Sequence, residues 1–248
     1  MSIEKKPLVN DLYTADPSAH VFNGKIYIYP SHDEDIDVEN NDNGDQYDMK
    51  DYHVYEMPDT ETYPRDCGCV LKLEDIPWAS KQLWAPDCVE KDGKYYFVYP
   101  ARDKEGFFRI GIAIGDKPEG PFKPEPNYIP GSYSIDPCMF PDTDGKYYLT
   151  FGGIWGGQLD QYRNNKWSAD NKEPQGEEEA CTAKIALMKD NLLEMAEEPK
   201  DIMILDENGK PLTGGDEARR YFEDPWMFKK GDTYYFTYST GTTHLLCY

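Results

Sequence analysis

Four acidic residues of this 248-residue sequence stand next to a proline at the mouth of an apolar stretch: Asp16-Pro17, Pro86-Asp87, Asp136-Pro137 and Glu223-Asp224-Pro225. Carboxyl groups do general acid–base chemistry when their surroundings differ. One must stay ionised to take a proton from water, while another stays protonated to give one to a leaving group. Counted back from the nearest turn glycine, Asp16 lies 8 residues before Gly24, Asp136 lies 9 before Gly145 and Glu223 lies 8 before Gly231. Asp87 lies only 6 before Gly93 and is expected deeper along its strand. Asp224 competes with Glu223 for the fourth place, and alternation along a strand predicts that only one of the two enters a shared site.

The elements that must carry these acids repeat. Each acid leads through a short apolar run into a tight turn and then an aromatic strand. The turns are Asn23-Gly24, Asp92-Gly93, Asp144-Gly145 and Gly231-Asp232; the strands that follow include Lys25–Tyr29, Lys94–Tyr99, Lys146–Phe151 and Tyr234–Tyr238. Four such hairpins at irregular spacing predict four blades of an all-β propeller, since a small antiparallel sheet buries both faces only by stacking on its neighbours. The first strand of each blade then lines a central channel, and an acid at its start points to one end of that channel. Further strands are expected at 52–57, 70–73, 107–114, 183–188 and 202–205, with at most a helical turn over 191–196.

Taken in order, Asp16-Pro17-Ser18-Ala19, Trp84-Ala85-Pro86-Asp87, Ser134-Ile135-Asp136-Pro137 and Glu223-Asp224-Pro225-Trp226 resemble the blade-opening motifs of glycoside hydrolase family 43. The resemblance runs from about Asp11 to the end of the sequence. It implies a five-bladed β-propeller, of which this single domain (1–248) carries about four blades, near 7–80, 81–131, 132–205 and 206–248. A strand-like ending with no stop signal adds the expectation that the last blade is missing. The implied activity is an inverting, exo-acting hydrolysis that releases xylose or arabinofuranose from xylo- or arabino-oligosaccharides. Position by position, it implies Asp16 as general base, Glu223 as general acid and Asp136 as the residue that orients and tunes the acid; the family's Glu-x-Pro form favours Glu223 over Asp224.

Inversion asks for two carboxyl groups roughly 6.5–9.5 Å apart, with room for water between base and sugar. A third carboxylate near Glu223 would hold it protonated, and Asp16, open to water, is expected to keep a low pKa. Trp84 and Trp155 are candidates to stack on the apolar face of a sugar, with His32 and Asp87 as further substrate contacts. A central histidine and an arginine that family members carry on the last blade find no match before the sequence ends. The alternative reading is a non-catalytic carbohydrate-binding propeller or an inactive fragment. Retaining fructosidases share the fold, but their Asn-Asp-Pro-Asn opening is absent.

Composition narrows the partners. A formal charge of −21 opposes nucleic acid and anionic membranes and leaves neutral sugars unopposed. No apolar run approaches the roughly 20 residues that span a bilayer, and no secretory core follows Met1, so a cytoplasmic location is expected. The six cysteines (Cys67, Cys69, Cys88, Cys138, Cys181, Cys247) lack zinc-ligand spacing and are expected as reduced thiols. No cofactor is required by this reading. A structural calcium within Asn40–Asp45 is the alternative there, although the segment lacks the closing acid of an EF-hand. The stretch 32–51 is too polar for core and is expected as a loop over one end of the fold. Phe151–Gly157 has the glycines of a phosphate cradle without its spacing, which favours close backbone approach at a pocket rim.

Overall fold

The computed structural model describes residues 7–241. It consists almost wholly of antiparallel strands arranged as radial sheets, the architecture of a β-propeller. Blade I is the meander β1 (Tyr13–Phe22), β2 (Lys25–Asp33), β3 (Asp51–Met57) and β4 (Arg65–Lys72). Blade II holds β5 (Ala79–Lys81), β6 (Asp87–Lys91), β7 (Lys94–Asp103), β8 (Phe108–Gly115) and β9 (Lys123–Pro124). Strand β5 straddles the boundary expected at 80/81, because it pairs with the end of β7.

Blade III contains β10 (Cys138–Pro141), β11 (Tyr147–Phe151), β14 (Lys184–Leu187) and β15 (Lys200–Asp201). Between β11 and β14 it carries the small hairpin β12 (Tyr162–Arg163) and β13 (Lys166–Trp167). In blade IV the described residues form β16 (Glu223–Lys230) and β17 (Thr233–Ser239). All four predicted hairpins are present, and the inner strands β1, β6, β10 and β16 neighbour one another in chain order.

Packing between blades explains why the strands are so aromatic. Strand β7 is buried without interruption from Phe97 to Asp103, since a neighbouring blade covers each face. Between blades I and II, Tyr29 and Tyr52 meet Phe97 at ring separations of 5.9 and 5.0 Å. Val98, Ile110, Leu149, Phe151 and Tyr221 continue the core toward blades III and IV.

One expected element differs, and the segment given at most a helical turn keeps within that bound. The strand placed at 202–205 lies instead at Lys200–Asp201, because β14 is only four residues long and offers its outer partner two positions. Residues 191–196 form a turn, with Leu192 at φ 58°, and no helix. The five cysteines among the described residues are free thiols, while Cys247, His244 and the expected strand after Gly241 lie outside those residues. No helix among the described residues is long and apolar enough to cross a membrane.

Candidate active site

Strand pairing fixes which residues of the four inner strands are equivalent. Ser18, Asp87, Cys138 and Trp226 stand opposite Tyr29, Val98, Thr150 and Thr237, at the same level of their hairpins. Two residues earlier come Asp16, Ala85, Asp136 and Asp224. The three acids share a left-handed backbone, with φ of 44°, 54° and 56°. Such a conformation is uncommon for any residue with a side chain, and more so before proline.

The exact counterpart of Asp16 and Asp136 is therefore Asp224, and Glu223 stands one residue upstream, level with Ala15 and Ile135. The glycine count placed Glu223 in register because glycine is second in the Asn23-Gly24 turn but first in Gly231-Asp232. Alternation also fails here. The ladder slips between Glu223 and Trp226, and the left-handed Asp224 re-aims its own side chain. Both Glu223 and Asp224 consequently line the same cavity, against the expectation that only one would.

That cavity has a volume of about 560 Å³ and brings together Asp16, Asp136, Glu223 and Asp224 with Trp84 and Trp155. Asp33, at the end of β2, also lines it. Asp136 is buried and accepts the backbone N–H of Asp224 at 3.2 Å, which ties blade III to blade IV. Asp224 accepts the Ser239 hydroxyl at 2.8 Å.

So many carboxyl groups around one hollow cannot all ionise easily. Burial raises Glu223 well above the usual carboxylic-acid range, with Asp224 and Asp16 adding to the effect. Asp136 is raised by burial, then by Asp224, Glu223 and Asp16. Asp16 is an exposed residue on the cavity lining, yet its carboxyl is pushed up to about 7, first by burial of the group and then by Asp224 and Asp33. The low pKa expected of Asp16 is not found, because access to water on one side does not offset enclosure on the others and two like-charged neighbours.

The aromatic walls are held from behind. Trp84 donates its indole N–H to the Tyr47 carbonyl at 2.8 Å and packs on Phe108 at 4.7 Å. Trp155 donates its indole N–H to Glu173 at 2.8 Å, and its backbone N–H to Asp160 at 2.8 Å. The polar stretch between β2 and β3 does form a loop, as expected, and it closes one side of the cavity through Asn40, Gly44 and Tyr47. It is not wholly solvated, since Met49 joins the core.

Arg102, at the end of β7, is the fastener that sequence reading missed. Buried, it donates to Gln82 Oε1 at 2.5 Å, to the Asn43 carbonyl and Oδ1 at 2.8 and 2.9 Å, and to the Gly106 and Gly156 carbonyls. It thus binds the loop and the Trp155 turn to blade II. No motif signals an arginine whose donors are spent mostly on carbonyls. The glycines of 151–157 serve close approach, as expected: a Cβ on Gly153 would stand 2.7 Å from the Ile135 side chain.

Two proposed substrate contacts lie elsewhere. Asp87 is 1 % exposed, with one oxygen 2.6 Å from His20 Nε2 and the other accepting the Met139 N–H at 2.7 Å. It stitches β1, β6 and β10 together below the cavity. His32 is not among the cavity-lining residues either, and its Nδ1 lies 2.5 Å from Asp51 Oδ1. Within Asn40–Asp45, Asn43 Oδ1 accepts from Arg102 and Asp45 Oδ1 accepts from Lys81.

Comparison with known proteins identifies the family. The family model described as glycosyl hydrolases family 43 matches residues 5–245. A Bacteroides ovatus protein named xylosidase/arabinosidase is 56% identical over 249 residues, covering 100% of this chain and 77% of its own length. The solved RS223 β-xylosidase superposes with a TM-score of 0.93 at 55% identity, over 97% of this chain and 75% of that one. A β-xylosidase/α-arabinofuranosidase from a compost metagenome, solved with xylotriose in a calcium-free form, gives a TM-score of 0.92 at 54% identity, over 95% of this chain and 73% of that one. The chain belongs to family 43 of the glycosyl hydrolases.

Proposed function

We propose that this chain hydrolyses xylo- and arabino-configured pentosides from the chain end with inversion at the anomeric carbon. The observation that carries the proposal is the convergence of Asp16, Asp136 and Glu223 on one sugar-sized cavity between two tryptophans. Names and ligands of the relatives supply the substrate class: one is a xylosidase/arabinosidase, another was solved with xylotriose.

In this scheme Glu223 holds the proton that the leaving oxygen needs. Burial and then the neighbouring Asp224 and Asp16 raise its pKa and so favour the protonated form. Asp16, facing the cavity water, takes a proton from the water that attacks the opposite face of the sugar. Asp136 accepts the Asp224 backbone N–H and so positions the end of β16 that carries the acid. Trp84 and Trp155 offer flat apolar surface to the C–H faces of the sugar.

Inversion makes a direct forecast. Proton NMR during turnover of nitrophenyl β-xyloside shows α-xylose first, with the β form appearing only by mutarotation. Initial release of β-xylose would mean a covalent intermediate and would refute the scheme. Parallel assays on nitrophenyl α-L-arabinofuranoside rank the two pentosides.

A further inference from the structure

We infer that His32, Asp51 and His53 form a site for one divalent transition ion of the zinc class, at the neck of the loop that walls the cavity. One ligand atom from each residue lies within 4.8 Å of the other two. Strand pairing explains the convergence. Strands β2 and β3 run in register from Ile26 opposite Met57 to Ile28 opposite Tyr55, and continuing that register sets His32 across from Asp51. His53 follows Asp51 by two residues and so shares its face, while Tyr52 and Val54 turn into the core.

The donor set suits an ion of intermediate softness. Two imidazoles and one carboxylate are common zinc ligands, whereas calcium prefers oxygen alone. The support behind the ligands is also present. Asp66 stands 3.0 and 3.1 Å from His53 Nδ1, which orients the ring and leaves Nε2 for the ion. His32 Nδ1 and Asp51 Oδ1 stand 2.5 Å apart, and an ion between them binds the neutral imidazole through Nδ1, with the ring N–H on Nε2 and any proton held in that contact passing to solvent. Ligand atoms around tetrahedral zinc stand about 3.4 Å apart, so the 2.5 Å edge between His32 and Asp51 must open by about 1 Å while the edges to His53, at most 4.8 Å, close to match. Half-buried side chains have that freedom, with His32, Asp51 and His53 at 18, 26 and 16 % exposure.

The place of the site gives it a function. Strand β2 ends at Asp33 and β3 begins at Asp51, so residues 34–50 form the loop whose Asn40, Gly44 and Tyr47 line the cavity. An ion held by His32 and by Asp51 and His53 ties the two stems of that loop together.

Calorimetric titration of the protein with zinc chloride tests this, with calcium chloride as the comparison. One saturable equivalent of zinc is expected, without competition from calcium. His53→Gln weakens it at least tenfold, and Asp66→Asn weakens it by about 10–100-fold. The double change Cys67→Ser, Cys69→Ser leaves it unaltered. Zinc also raises the melting temperature of the wild type but not of His53→Gln. Circular dichroism checks that each variant folds, and His32→Asn replaces His53→Gln if that one does not. Zinc uptake that survives loss of either histidine, follows the cysteines, or never saturates at one equivalent would overturn the inference.

Discussion

Glu223 and Asp224 are adjacent and both acidic, and the slip of the ladder between Glu223 and Trp226 lets both reach one hollow. Their substitutions should nevertheless read differently. Replacing Glu223 with Gln removes the transferable proton, and a fall in kcat of about 10³-fold is expected, in the range of lost general-acid catalysis. The loss should shrink on a dinitrophenyl pentoside, whose leaving group needs no proton; an equal loss on both substrates would deny Glu223 the acid role. Asp224 acts through charge. It is the first neighbour, after burial, that raises Asp16 to about 7. A base works only when ionised, so kcat/KM should fall tenfold per pH unit below about 7. Asp224→Asn takes away one negative neighbour, eases ionisation of Asp16, and should move that acid limb to lower pH. A pH profile of kcat/KM decides it, and an unmoved limb would count against the assignment of Asp16.

At the scale of elements, the hairpins were legible because aromatic strands and Asx-Gly turns write their own boundaries, whereas the walls of the cavity were not. The loop 34–50 reads as solvated polar chain, yet it is fixed by Arg102, by the Trp84 indole and by Met49 in the core. These contacts come from residues distant in sequence, so no local pattern announces them. Gly44 shows how tight the wall is: its φ is 73°, and a Cβ there would lie 2.5 Å from the Trp84 ring. Gly44→Ala should therefore displace Trp84 and raise KM for a nitrophenyl pentoside several-fold while kcat changes little, which steady-state kinetics would show. Asp87 was placed deeper than its companions by spacing alone, and that depth makes it structural. Asp87→Ala strands the Met139 N–H and removes the partner of His20. The expected cost is about 3 kcal/mol, the loss of two hydrogen bonds to a carboxylate, which for a chain of this size lowers the melting temperature by about 6–12 °C.

For the molecule as a whole, the ordered set of blade-opening acids carried the fold, since a motif worthless alone becomes specific when it recurs in a fixed order from blade to blade. What that order could not convey was field. With 47 acidic against 26 basic side chains the net charge is −21, and the acids in the cavity add to a repulsion that extends over the surface. Self-repulsion of this kind weakens the compact state and is screened by salt, the Debye length shrinking from about 30 Å at 0.01 M to about 8 Å at 0.15 M. The melting temperature at pH 7.5 should accordingly rise between 10 and 150 mM sodium chloride. A neutral pentoside feels none of this field, so its KM should change by less than about twofold over the same range, while an anionic competitor such as a sulfated oligosaccharide should bind detectably only at the higher salt. Scanning calorimetry and steady-state kinetics in the same buffers separate the two effects. A KM that falls steeply as salt is added would mean that the ligand is repelled by the cavity, and the substrate would then have to carry negative charge.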